Sequence, residues 1–373
     1  MRLNQKRKMI MFKSISFCCI SLLILAGCNN ENTKTTKVIP KETTQEGVMK
    51  NIDGVAPSVY NGGGEIHMVF ASGDSIMYCN SSDSGKNFSN SILIGTLPDL
   101  AVVGGRGPQI AGNKNQLVIA AADGNGNIYS YTRPDSKGNW IRGGRMNDVA
   151  DIAKEGFVSL ASNDEGKYFA VWLDLRGNEK NKIVGAASTD GGKTWSANKI
   201  IYRSPDKSVC ECCKPSIAMK DDHIAIMFRN SLDGNRDMYV IQSTDGGNNF
   251  GQAEKLGKGS WLLNGCPMDG GAIVIDNNGN PQTVWRREGK FYACEPGKEE
   301  KEIGGGKNCS MESVNGKNIY TWTENGEVVC QMPEGIRKNL GKGKLPVIKM
   351  INDEHVICVW ENEHEIHNAV LSL

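Results

Sequence analysis

The chain writes one small polar motif three times, each time directly after a run of β-forming residues: SSDSGKNF at 81–88, STDGGKTW at 188–195 and STDGGNNF at 243–250. The later two copies begin 55 positions apart, and the first two begin 107 apart, close to two such steps. TRPDSKGNW, with Asp135, Gly138 and Trp140, fills the gap as a worn copy. In such a motif the Asp carboxylate can accept backbone N–H groups, Gly admits positive φ, and the aromatic residue can tuck beneath the turn. The carriers are Asp83, Gly85 and Phe88; Asp190, Gly192 and Trp195; and Asp245, Gly247 and Phe250. A turn recurring at a fixed period means a fold built from equal units, none of which buries its apolar face alone.

The pattern Ser-x-Asp-x-Gly-x-x-Trp/Phe resembles the Asp-box, or BNR, repeat of sialidase-like β-propellers, where the box closes the hairpin between the third and fourth strands of a blade. The resemblance implies an all-β propeller of four-stranded blades. Aligning the units on their first strands sets APSVY, GPQIA, FVSLA, KPSIA, GAIVI, SMESV and LPVIK in register, beginning at 56, 107, 157, 214, 271, 310 and 345. Each is followed by a tight polar turn and an apolar second strand, so seven blades are expected over 47–373, with six, the number in sialidases, as the alternative. The last unit shows only three strands. A segment near GVMKNI (47–52) is expected to supply its outer strand, because an unclosed ring leaves bare edges.

The first residues obey different rules. Arg2, Lys6, Arg7 and Lys8 precede the apolar run ISFCCISLLILAG, which ends at Cys28. That order reads as an export signal over 1–27, and Leu25-Ala26-Gly27-Cys28 resembles the lipobox of bacterial lipoproteins, which implies diacylation of Cys28. Residues 28–46 are polar and rich in Thr and Lys, as suits a flexible tether. The expectation is an exported monomer, lipid-anchored in the bacterial cell envelope, whose membrane contact is made through the anchor. With 43 Lys plus Arg against 42 Asp plus Glu, nothing global draws the chain toward nucleic acid.

In a propeller the turns after each second strand and the crossovers between blades share one end of the axis. That end collects Arg106, Glu155, Asp174, Arg176, Arg229, Asp269, Arg286, Arg287 and Glu361. Guanidinium groups match carboxylates bidentately, and the family resemblance implies an arginine triad for a sugar carboxylate. Arg106, Arg176 and Arg229 are the first candidates for an anionic glycan, with Arg286 and Arg287 in reserve. The competing reading pairs these arginines with neighbouring acids as structural stitching. Asp174 and Glu155 are the candidate catalytic acids of a sialidase-type hydrolase. The Arg-Ile-Pro motif that the family carries near its start is absent, the first blade reading GVAPSVYNGGGEIHMVF, so a binding role is the first expectation and exo-sialidase hydrolysis an alternative.

The least ordinary stretch is SVCECCKPS, with Cys210, Cys212 and Cys213 at the crossover into the fourth blade; NGCPMDGG, with Cys266 and Met268, stands at the equivalent crossover into the fifth. These sulfurs should be neighbours. Disulfides, for example from Cys210 or Cys213 to Cys266, suit an exported protein. Four Cys and a Met would also suit copper or zinc, which gives a soft-metal envelope protein as a further alternative, although no cofactor is required. Cys79, Cys294, Cys330 and Cys358 fall within strands and read as small core residues.

Overall fold

The computed structural model describes residues 52–135 and 138–373. The export signal, Cys28 and the tether lie outside the described residues, and among those described no helix is long and apolar enough to cross a membrane. The described residues form seven antiparallel four-stranded sheets, β1–β28 in chain order. The innermost strands are β2 (Val55–Asn61), β6 (Gln109–Gly112), β10 (Val158–Ser162), β14 (Ser216–Lys220), β18 (Ala272–Ile275), β22 (Lys307–Val314) and β26 (Lys344–Asn352). All seven fall at the expected alignment positions, so the count is seven and not six.

Each blade is apolar on both faces, and that dictates the ring. In β3 (Ile66–Ser72), Val69 and Ala71 pack with Leu117 and Ile119 of the second blade, whereas Met68 and Phe70 pack with Ile357 and Val359 of the seventh. The two-residue period of a strand sends alternate side chains to opposite neighbours, so a one-residue slip would exchange both contact sets. The same arrangement repeats at all seven interfaces between consecutive blades, including the seventh against the first. A fully buried Val, Ile or Phe contributes about 1.5–3 kcal/mol, and here these contributions require a neighbour on each side. Trp172, Trp285, Trp322 and Trp360 lie buried in the interfaces, as packing residues.

The repeated turns serve these interfaces. Ser81, Ser188 and Ser243 each donate to the Asp two residues on at 2.8 Å and accept the N–H of the Gly four residues on at 2.9–3.0 Å. Gly85, Gly192 and Gly247 adopt φ of 83°, 76° and 87°. A Cβ on them would meet Ile357, Val118 and Phe169 at 2.4–2.7 Å, in each case a second-strand residue of the preceding blade. Positive φ and close approach thus both demand Gly. Phe88, Trp195 and Phe250 add their rings to the same interfaces.

Closure is made by the first strand. β1 (Ile52–Asp53) pairs with β28 (Glu365–Ser372), Ile52 opposite Ile366, as the outer strand of the seventh blade. The described part of the expected closing segment therefore does close the ring. Glu361, 5% exposed, accepts the Ala56 N–H at 2.7 Å, Gly54 N–H donates to His364 O at 2.6 Å, and Asn368 donates to Gly85 O at 2.8 Å.

Two outcomes are expected. Glu361→Ala orphans a buried N–H at the closure and should lower unfolding stability by about 1–3 kcal/mol in a denaturant titration. Asp83 and Asp245 are held at about 2, Asp83 first by the Asn87 side chain and Asp245 first by the Asn249 N–H. Their folded values lie below the unfolded value, so their contribution is complete above pH 4 and is lost as pH falls toward 2. Asp245→Asn should flatten that part of the melting temperature against pH profile.

Candidate functional site

An axial cavity of 460 Å³ is walled by the innermost strands of all seven blades. Its two ends differ in charge. At the end where those strands finish, Lys349 and Glu312 pair at 3.4 Å, and Glu312 also accepts the Met350 N–H, so the charges cancel. At the end where the strands begin stand Arg106, Lys214 and Asp269.

Both cations at this second end hold mainly neutral acceptors. Arg106 donates through Nε to Glu155 O at 2.5 Å and through Nη1 to Val103 O at 2.8 Å, and its guanidinium lies 4.0 Å above the Phe157 ring. The Glu155 carboxylate only reaches it at 4.0 Å and is itself bonded by Asn181. Lys214 donates to the amide oxygen of Gln109 at 2.7 Å. Lys214 is half-buried, and the surrounding walls desolvate the ammonium and pull its pKa down to about 8. Asp269 is 4% exposed, accepts the Asn308 N–H at 3.0 Å, and is pushed up to about 6 by burial. Exposed Met268 lines the mouth.

The arginines singled out from sequence do not all converge there. Arg106 lines the cavity; Arg176, Arg229, Arg286 and Arg287 are held elsewhere among the described residues. Arg176 forms a bidentate pair with Asp174 at 2.8 and 2.9 Å and reaches Asp148 at 3.1 Å. Arg287 places two donors on Glu300 at 3.0 Å, over the Tyr292 ring. Arg286 donates to Gly306 O at 2.8 Å, with Asp269 at 3.9 Å. Arg229 is 1% exposed and donates to the carbonyls of Arg236, Asp269 and Arg286 at 2.6–3.0 Å. The reason lies in the blade geometry: the end of a second strand sits one strand out from the axis, where acids and carbonyls of its own blade and of adjoining segments take up the guanidinium. Asp174 is 0% exposed and bound by Arg176 and the Trp172 N–H, away from the cavity wall. The tyrosine on that wall is Tyr60, at the opposite end, and burial pushes its hydroxyl up to about 12.

Lys214 was legible only in part. It follows Cys213 at the start of an innermost strand, and the sequence KPSIA reads equally well as an ordinary strand entrance. Placing it on the axis takes the tertiary path of the crossover into β14.

The cysteines do assemble. Cys212 and Cys266 form a disulfide with Cα atoms 6.2 Å apart, so the partner of Cys266 is the middle cysteine and not the expected Cys210 or Cys213. Cys210 Sγ lies 3.6 Å from Cys212 Sγ and 3.7 Å from Cys213 Sγ, and the three sulfurs lie within 4.8 Å of one another. They are close enough to share a soft ion if the disulfide is reduced. Cys210 is drawn down to about 7, first by the hydrogen bond with Cys213, then by the Cys212 N–H and by Arg236 and Arg229, while Cys213 is pushed well up. Met268 is 56% exposed at the mouth. Cys79, Cys330 and Cys358 are buried core residues, and Cys294 is half-buried.

No protein-family model matches the chain, and no curated protein matches it. Solved structures do. BP39L lectin from Burkholderia pseudomallei superposes with a TM-score of 0.61 at 9% identity, covering 86% of this chain and 96% of its own. A polysaccharide lyase, PL25 ulvan lyase bound to -[GlcA(1-4)Rha3S]-, gives 0.57 at 12% identity over 87% and 94%. SapL1 lectin in complex with alpha methyl fucoside gives 0.50 at 13% identity over 79% and 98%. At these identities the likeness establishes a shared propeller fold.

Lys214→Met removes an ammonium whose folded pKa lies below its unfolded value. Wild type should gain stability relative to the variant as pH rises from 8 to about 10.5, because the unfolded chain holds the extra proton there. Paired denaturant titrations across that range measure it.

Proposed function

We propose that this chain is a cell-envelope lipoprotein whose propeller binds a carboxylated or otherwise anionic glycan at the mouth of its axial cavity. The observation that carries the proposal is that the hydrogen bonds of Arg106 and Lys214 go to carbonyl and amide oxygens, while the Glu155 carboxylate stays 4.0 Å from Arg106. Two desolvated cations whose hydrogen bonds go to neutral acceptors leave positive charge only partly matched at a concave site, and a ligand carboxylate or sulfate answers it with charge-assisted bonds. The PL25 ulvan lyase of like fold, bound to -[GlcA(1-4)Rha3S]-, a uronate and a sulfated sugar, supports the ligand class. Binding is proposed in preference to hydrolysis because Asp174 is sealed and satisfied, and because Tyr60, with Asp164 adding to its raised pKa, is not set up as a phenolate nucleophile.

Titration calorimetry with uronate- and sialate-containing oligosaccharides tests the reading. Arg106→Gln and Lys214→Met are each expected to weaken binding about tenfold or more, the scale of a lost hydrogen bond to a charged group. Affinity should be retained at pH 6.5 and fall as pH rises through about 8, where Lys214 loses its proton. Equal affinity for neutral analogues, or indifference to Lys214→Met, would overturn it. Palmitate labelling of wild type and Cys28→Ser in a bacterial host tests the anchor: label should enter only the wild type.

A further inference from the structure

The cysteine cluster holds one bond and two spare thiols in a graded arrangement. Cys212–Cys266 ties the crossover at 203–215 to the loop at 256–271, and the loop end of that bond is exposed at Cys266. Cys210 and Cys213, 1% and 2% exposed, lie behind it with their sulfurs 3.7 Å apart, and Cys210 is 3.6 Å from the inner sulfur of the bond. The spacing of Cys210 and Cys213 is Cys-x-x-Cys, which a single segment closes readily. Arg229, whose bonded acceptors are all carbonyls, adds a nearby positive charge that favours a thiolate in this cluster.

We propose that Cys210, Cys212, Cys213 and Cys266 form a thiol–disulfide exchange site, in which the buried Cys210–Cys213 pair takes over the disulfide and frees the loop carrying Cys266 and Met268. In the first step the Cys210 thiolate attacks Cys212 Sγ; the Cys210–Cys212 bond forms, the Cys212–Cys266 bond breaks, and Cys266 leaves as a thiolate that takes a proton from solvent. In the second, Cys213 gives its proton to solvent and attacks Cys210 Sγ; the Cys210–Cys213 bond forms and Cys212 leaves as a thiolate. One disulfide is consumed and one formed, so no outside oxidant or reductant enters. The consequence is mechanical: Cys212 and Met268 both border the axial cavity, and the exchange removes the covalent tie between their segments. Glycan binding is not assumed in this inference.

Differential alkylation of the native full chain, followed by peptide mapping, reads the bond directly. With catalytic glutathione at pH 8, wild type should distribute between Cys212–Cys266 and Cys210–Cys213 isomers, the second with Cys266 alkylated. Cys266→Ser should carry Cys210–Cys213 in oxidising buffer, and limited proteolysis should cut its 256–271 loop at least several-fold faster. Cys213→Ser, which leaves the Cys212–Cys266 bond intact as a folded control, should yield no second-step product. A wild type mapped only as Cys212–Cys266 at every glutathione ratio, with Cys266→Ser holding three free thiols, overturns the proposal. Stoichiometric zinc held by the reduced chain, protecting its thiols while no Cys210–Cys213 disulfide forms, overturns it as well.

Discussion

The second strand of every blade is apolar on both faces, and no blade can cover both by itself. A stack of such sheets is stable only when each has two neighbours, so the seventh must meet the first. The short β1 and the Glu361–Ala56 bond stand at the point where that condition is completed. The Ser-x-Asp-x-Gly turns belong to the same requirement: their glycines come so near the preceding blade's second strand that any side chain would push two blades apart. Ring closure and turn chemistry are two consequences of one packing problem.

Function is placed by the same geometry. First strands face the axial cavity, whereas the ends of second strands sit one layer out, among acids and carbonyls that take up their charge. Charge on the outer layer is matched within that layer, as in Arg176 with Asp174 and Arg287 with Glu300. At the end of the axis where the innermost strands begin, the matching is looser: Arg106 and Lys214 hydrogen-bond to carbonyl and amide oxygens, with Glu155 no nearer to Arg106 than 4.0 Å. These cations and the sulfur cluster lie at the same end, because the crossovers that begin the innermost strands are the segments free to carry them.

From the sequence by itself came the period, the all-β class, the seven units and the proximity of 210–213 to 266, because each depends on local turn chemistry or on counting along the chain. Arginine positions were legible only as belonging to one end of the ring. Whether a guanidinium there meets a ligand or an acid turns on side-chain distances of a few ångströms, which the order of residue types along the chain does not encode. Tertiary structure alone decided that Cys212, and not either of its neighbours, bonds Cys266, since three cysteines within four residues are equivalent in spacing and are told apart only by where each sulfur points. It alone placed Lys214 on the axis, because the path by which the crossover at 203–215 enters β14 sets which of its side chains reach the cavity.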